Sequence, residues 1–153
     1  MSVIVLSEVF DALDQQRILL SDSGGAAVAT FTGYVRDLCA QGNVRALELE
    51  HYPGMTQRSL EDIGADAESK FALKRWRIVH RYGLLSEGEP IVWVGVVADH
   101  RGEAFAGCEF IMDHLKTQAP FWKREHLTDG RAHWVAAKEA DTRQQQTWQE
   151  HSP

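Results

Sequence analysis

The chain of 153 residues lacks a long apolar run. Its longest, IVWVGVVA at 91–98, is far too short to cross a bilayer, so no membrane span is expected. The opening MSVIVLSEVFDAL has no basic cluster and meets acidic residues at once, so it does not read as a signal peptide. Cysteine is scarce. Cys39 and Cys108 form no CxxC and have no local partner, which leaves neither a disulfide framework nor a zinc knuckle. Cytoplasm is the expected compartment. Positive charge is in deficit: 16 Lys and Arg stand against 22 Asp and Glu, a formal charge of −6, which argues against a general nucleic-acid binder. Histidines 51, 80, 100, 114, 126, 133 and 151 show no HExxH or other ligand spacing, so no metal site is expected. A GxGxxG turn, a Walker loop and a GxSxG elbow are missing as well.

What remains is 44% apolar and 25% charged, the balance of a soluble globular protein with a proper core, read as one domain over 1–153. VIVL (3–6) reads as a strand and 7–20 as a helix with Ser7 as N-cap. Residues 26–36 and 44–52 carry strand patterns around a polar loop, 37–43, which suggests a hairpin. After a turn, Met55, Leu60, Ile63 and Ala67 recur at helical spacing, with Gly64 weakening that helix by about 1 kcal/mol. Residues 72–83 and 90–99 read as strands separated by the turn-rich LLSEGE. The second is apolar enough to be central and covered on both faces. Residues 102–119 form the clearest helix, with Phe105, Cys108, Ile111, Met112, Leu115 and Ala119 in one stripe, and Pro120 stops it. A short strand at 131–137 and a polar tail from about residue 140, of a composition that permits a helix, complete the chain. The class is α+β with a mixed or largely antiparallel sheet.

Chemistry concentrates in three places. In DHLKTQAPFWKRE (113–125), Lys116 lies at the flank of the helix's apolar stripe and Lys123 follows the proline break, where the chain can fold back. Two ammonium groups in a half-apolar site would lower each other's pKa and yield a base or nucleophile. The alternative is a pair of snorkelling lysines at a helix end, favoured by the dipole. In ADHRGEAF (98–105), His100 and Arg101 stand where a buried strand meets a helix N-terminus, a setting suited to an anion. The alternative there is Asp99 as N-cap beside a solvated loop. FTGYVRD (31–37) adds Arg36 at a strand end. Cys108, on the apolar stripe, reads as core rather than nucleophile. Two function classes stay open on these residues: an enzyme acting on a small anion and a non-catalytic module that binds a phosphorylated one.

Taken in order, ATFTGYVRD, LELEHYPGM, IVHRYG, VWVGVVADHR, AFAGCEFIMDHLKTQAPFWKRE and HWVAAKEAD resemble the large, catalytic subunit of molybdopterin synthase. The resemblance covers roughly residues 26–140, and LKTQAPFWKRE is its most specific part. It implies an α/β hammerhead core with an added antiparallel subdomain. It also implies sulfur transfer to a cyclic pyranopterin monophosphate, precursor Z, making the dithiolene of molybdopterin. The sulfur would come from the thiocarboxylated Gly-Gly end of a small ubiquitin-like carrier subunit, within a heterotetramer built on a central dimer of large subunits. The implied substrate positions are Tyr34, Val35, Arg36, His100, Arg101, Lys116, Lys123, Arg124 and Glu125, with Lys116 and Lys123 catalytic. On this reading Arg36, His100 and Arg101 hold the phosphate, and no cofactor, metal or catalytic cysteine is required in the chain.

Overall fold

The computed structural model describes residues 2–22, 24–135 and 148. Its elements run β1 (Ser2–Leu6), α1 (Ala12–Leu19), β2 (Ala27–Tyr34), β3 (Leu38–Cys39), β4 (Gly42–His51), α2 (Met55–Phe71), β5 (Arg75–Arg81), β6 (Gly83–Ser86), β7 (Pro90–Ala98), α3 (Arg101–Gln118), β8 (Phe121–Leu127) and β9 (Ala132–Val135). The expected α+β class is what forms. The first sheet is mixed, in the order β1-β5-β7-β2, with β1 parallel to β5 and the other pairs antiparallel. The second is antiparallel, in the order β3-β4-β8-β9 with β6 also on β4, and it is the added subdomain.

The apolar run at 91–98 is central, as its composition requires. Its even-numbered residues Val92, Val94, Val96 and Ala98 pack with Leu60, Ile63 and Ala67 of α2 and Ala104, Cys108, Ile111 and Leu115 of α3. Its odd-numbered Trp93 and Val97 pack on the other side with Phe10, Leu19 and Val79. A third cluster, Val35, Val44, Leu49, Leu85 and Leu127, fills the second sheet, and Ile91 packs against both this cluster and the main one. The two sheets are therefore joined by apolar contact near the start of β7.

Gly64 has a use that outweighs its helix cost. A Cβ there would fall 2.3 Å from the Trp76 ring, so glycine lets β5 press its indole onto α2. The indole Nε1 then donates to Glu68 Oε2 at 2.8 Å.

Several elements differ from expectation. Phe10 is buried ahead of α1, so the helix starts later and is capped by Asp11, whose Oδ1 accepts from Leu13 N at 2.8 Å; Ser7 is not the cap. β2 takes the free edge of β7, so it does not pair with β4. The hairpin closes inside the expected loop, through Leu38–Cys39 against Gly42 and Asn43. LLSEGE contributes β6, with Leu85 fully buried. The packed face of α3 is centred on Ala104, Cys108, Ile111 and Leu115. Phe105, about 100° around the helix from Ala104, is 69% exposed and leaves the stripe. Met55, the first residue of α2, is exposed too.

Beyond the Pro120 break the chain folds back as the strand β8, whose charged residues mask its pattern. β9 covers 132–135, just after Arg131; residues 136–137 of that expected strand, the AAKEA of HWVAAKEAD and all of the tail except Trp148 lie outside the described residues. Trp148 donates from Nε1 to Asp113 Oδ2 at 2.6 Å and sets its ring edge-on to Phe71 and Phe110. The polar composition of the tail gave no sign of that anchor.

Candidate functional site

Lys116 and Lys123 stand on either side of a break that the fold holds tightly. α3 ends at Gln118, and β8 begins at Phe121. Between them the Pro120 carbonyl accepts from the Thr56 hydroxyl at 3.1 Å, and that hydroxyl accepts from Tyr52 N–H at 3.0 Å. Thr56 is fully buried, so the start of α2, the end of β4 and the lysine-bearing turn are tied at one point. Nothing in the sequence marked Thr56; a buried hydroxyl joining three segments is visible only in three dimensions.

β8 then pairs with β4 so that Lys123 lies opposite Leu49 and Glu125 opposite Leu47. Side chains alternate along a strand, so Phe121, Lys123 and Glu125 share one face and Arg124 takes the other. The resemblance-implied group Lys123, Arg124 and Glu125 is thereby split. Glu125 lies opposite His133 of β9, with 3.5 Å between carboxylate and Nε2. The Arg124 guanidinium stands 5.8 Å from the Trp134 ring centroid, and among the described residues its buried Nε has no hydrogen-bond partner.

Both lysines are exposed on the single chain, as are Tyr34 and Arg36, whereas the expectation was a half-buried pair. Val35 is a core residue of the cluster that holds Leu49, the register partner of Lys123, and Arg36 follows it directly. Its backbone is fixed on both sides: Val35 N–H donates to Glu89 O at 2.9 Å, and Gly88 N–H donates to Val35 O at 3.0 Å.

Behind β8 the Phe121 ring stacks on His80 at 3.8 Å, and His51 stacks on Tyr82 at 4.1 Å. His80 is buried and its Nδ1 lies 2.8 Å from the Arg81 carbonyl, which can only accept, so Nδ1 carries the proton. Burial pushes its pKa down to about 3; the Arg81 carbonyl opposes this, while Lys123 and His51 add to it. The folded state thus holds a neutral imidazole beneath the Lys123 strand.

In the unfolded chain this histidine takes a proton near pH 6.5, and the folded chain refuses it until about pH 3. Its contribution to stability is complete above the unfolded pKa and is lost as pH falls through that window. His80→Phe keeps an aromatic ring on Phe121 and removes the titration. Between about pH 7 and about pH 4 the variant should lose roughly 3 kcal/mol less stability than the wild type. Urea midpoints at both pH values check this, and equal losses in the two proteins would contradict it.

His100 and Arg101 are exposed at the N-terminus of α3. His100 itself is the N-cap residue, and its side chain makes no capping bond. Asp99 is not the cap; it pairs with Lys74 at 3.3 Å in an exposed contact of little energetic weight.

The position of this end matters more. Tyr34 is in register with Pro90, at the start of β7, while His100 follows the end of β7 at Ala98. Those nine residues span about 26 Å. α3 then runs back, because Phe121, just beyond its end, stacks on His80, whose register partner is Val92. Arg101 and Lys116 are separated by about 22 Å of helix. One chain therefore gathers Arg36, Lys116 and Lys123 at one end of the first sheet and places His100 and Arg101 at the other. The expected single phosphate grip of Arg36, His100 and Arg101 is not assembled within one copy.

Fold and site together define a small α+β protein with cations gathered where a mixed sheet meets an antiparallel subdomain. The chain belongs to the MoaE protein family, which matches residues 5–118. It is 48% identical over 142 residues to the molybdopterin synthase catalytic subunit of Cereibacter sphaeroides, covering 92% of this chain and 95% of that one. The relative of the same name from Vibrio cholerae is 46% identical over 147 residues, covering 96% and 97%. Among solved structures, the molybdopterin biosynthesis MoaE protein of Burkholderia ambifaria superposes with a TM-score of 0.82 at 44% identity, covering 97% of both chains. Molybdopterin synthase from Staphylococcus aureus does so with a TM-score of 0.80 at 28% identity, covering 87% of this chain and 96% of that one.

Proposed function

We propose that the chain is the catalytic subunit of a molybdopterin synthase. It transfers sulfur from the thiocarboxylated C-terminus of a small ubiquitin-like carrier to a cyclic pyranopterin monophosphate, forming the dithiolene. The observation that carries this reading is near full-length identity of 46–48% to relatives of that name. The placement of Lys116 and Lys123 around a turn pinned by Thr56 supports it.

Lys116 stands nearest the carrier's terminal glycine, as general acid/base or transient acyl acceptor; Lys123 binds substrate and tunes Lys116. Both are exposed on the lone chain, so the desolvation that activates them comes when substrate and carrier cover the junction.

The separation of His100 and Arg101 from the lysines follows naturally if the central dimer builds the site. A two-fold axis can bring the α3 N-terminus of one copy to the lysine junction of the other. Arg36 then holds substrate from one copy, and His100 and Arg101 hold its phosphate from the second.

The family relationship supports the cytoplasm as the site of action, and no helix among the described residues is long and apolar enough to cross a membrane.

Sulfur arrives on the carrier, so cysteine is not needed as a relay. Cys108 is buried on α3, and burial, reinforced by Glu109, raises its thiol to about 11. A thiol so placed holds almost no thiolate at neutral pH. Cys108→Ala should keep most of the sulfur-transfer activity, and loss of transfer in a folded variant would contradict this.

The experiment for the whole reading is incubation with precursor Z and thiocarboxylated carrier, with an assay for the dithiolene product. Binding of the phosphorylated pterin without turnover would favour a non-catalytic anion-binding module.

A further inference from the structure

In the second sheet, three strands bring together residues that are far apart in sequence. Cys39 lies on β3, Glu125 on β8 and His133 on β9, and one potential ligand atom from each lies within 4.8 Å of the other two. The register makes this meeting structural rather than incidental. Glu125 and His133 are direct cross-strand partners, already 3.5 Å apart at carboxylate and Nε2. Cys39 is carried against them by the β3–β4 hairpin, which is tethered to the turn before β9. Arg131 Nη2 donates to Gln41 O at 2.9 Å, and Thr128 N–H donates to Asn43 O at 3.0 Å. All three residues are partly buried, and Cys39 packs against the third apolar cluster.

We propose that Cys39, Glu125 and His133 form a binding site for a divalent zinc ion, with a fourth coordination position left open. The donor set is one thiolate, one imidazole and one carboxylate, the mixed soft and borderline ligands that suit Zn2+ better than Mg2+ or Ca2+. A thiolate and a carboxylate together balance the charge of the ion. Bonds of about 2.0–2.3 Å place tetrahedral ligands somewhat closer together than 4.8 Å. Rotamer adjustment of three partly exposed side chains closes that gap without moving the strands.

The spacing 39, 125 and 133 matches no motif, which is why the sequence pattern suggests no metal. Bound zinc joins β3, β8 and β9 at one point. Glu125 is two residues from Lys123 on the same face, so the ion stiffens the strand that carries that lysine.

The test uses the full chain, reduced and stripped with a chelator, then titrated with Co2+ and with Zn2+. One equivalent of Co2+ should produce a thiolate-to-cobalt charge-transfer band in the near ultraviolet. Zn2+ at about a hundredfold excess over its Kd should raise Tm by roughly 5–10 °C. Cys39→Ser should abolish the band, and His133→Gln should weaken Zn2+ binding more than about tenfold, a loss seen even for outer-shell changes at metal sites. Cys108→Ala should keep the band. If Cys39→Ser fails to fold, His133→Gln alone decides. Absence of the band, its survival in a folded Cys39→Ser, its loss in Cys108→Ala, or unchanged Zn2+ affinity in His133→Gln would each overturn the site.

Discussion

Lys116→Ala should abolish almost all sulfur transfer while leaving the protein folded. The residue sits on the last turn of α3, outside the packed face of Ala104, Cys108, Ile111 and Leu115, and is exposed. Removing it leaves no buried cavity; the structural cost includes a favourable charge at the helix C-terminus, worth up to about 1 kcal/mol. The functional cost is of another order. Placing or accepting a proton at the reacting centre contributes about 10²–10⁴-fold in rate, and an acyl acceptor would contribute more. Single-turnover assays with thiocarboxylated carrier, beside circular dichroism and Tm, separate the two. A folded variant retaining more than half of wild-type activity would remove Lys116 from the chemistry.

The first sheet was largely legible in the sequence, because its pattern comes from burial. Residues 91–98 could be apolar throughout only if both faces were covered, and they are. Leu60, Ile63 and Ala67 on α2 and Cys108, Ile111 and Leu115 on α3 kept the periodicity of one buried face each. The second sheet was obscured because its strands are short or rich in charge. β8 reads FWKREHL, where lysine, arginine and glutamate hide the alternation that leaves Leu127 buried. β6 lies in a stretch whose glycines and polar residues resemble a turn.

The candidate residues were visible as types: cations at a helix end, at a helix start and at a strand end. Their grouping was not, since it depends on the direction in which α3 returns along β7. Thr56 and the Cys39, Glu125 and His133 cluster were hidden for the same reason, as each joins segments far apart in the chain.

Arg101→Ala should weaken the phosphorylated pterin and spare the carrier. Arg101 begins α3, where backbone N–H groups and the dipole favour an anion, and its guanidinium adds charge-assisted hydrogen bonds. Such a bond is worth about 1.5–3 kcal/mol, or roughly ten- to a hundredfold in affinity. Calorimetric titrations of pterin phosphate and of the carrier, run separately, resolve the allocation. Unchanged pterin affinity with lost carrier binding would put Arg101 on the protein–protein surface. The distance to Lys116, about 22 Å along one helix, adds a second and sharper expectation. If each site takes Lys116 from one copy and Arg101 from the other, a mixed dimer of Lys116→Ala and Arg101→Ala copies contains one doubly damaged site and one intact site. With random pairing, half the dimers are mixed, so co-expressed variants should recover roughly a quarter of wild-type activity at substrate well below KM. The two homodimeric variants should stay far below that level, one lacking Lys116 at every site and the other Arg101. Were both residues drawn from the same copy, pairing would restore nothing, because every site in the mixed dimer would carry one lesion. Recovery in the mixture therefore decides between a site completed by a second copy and a site confined to one.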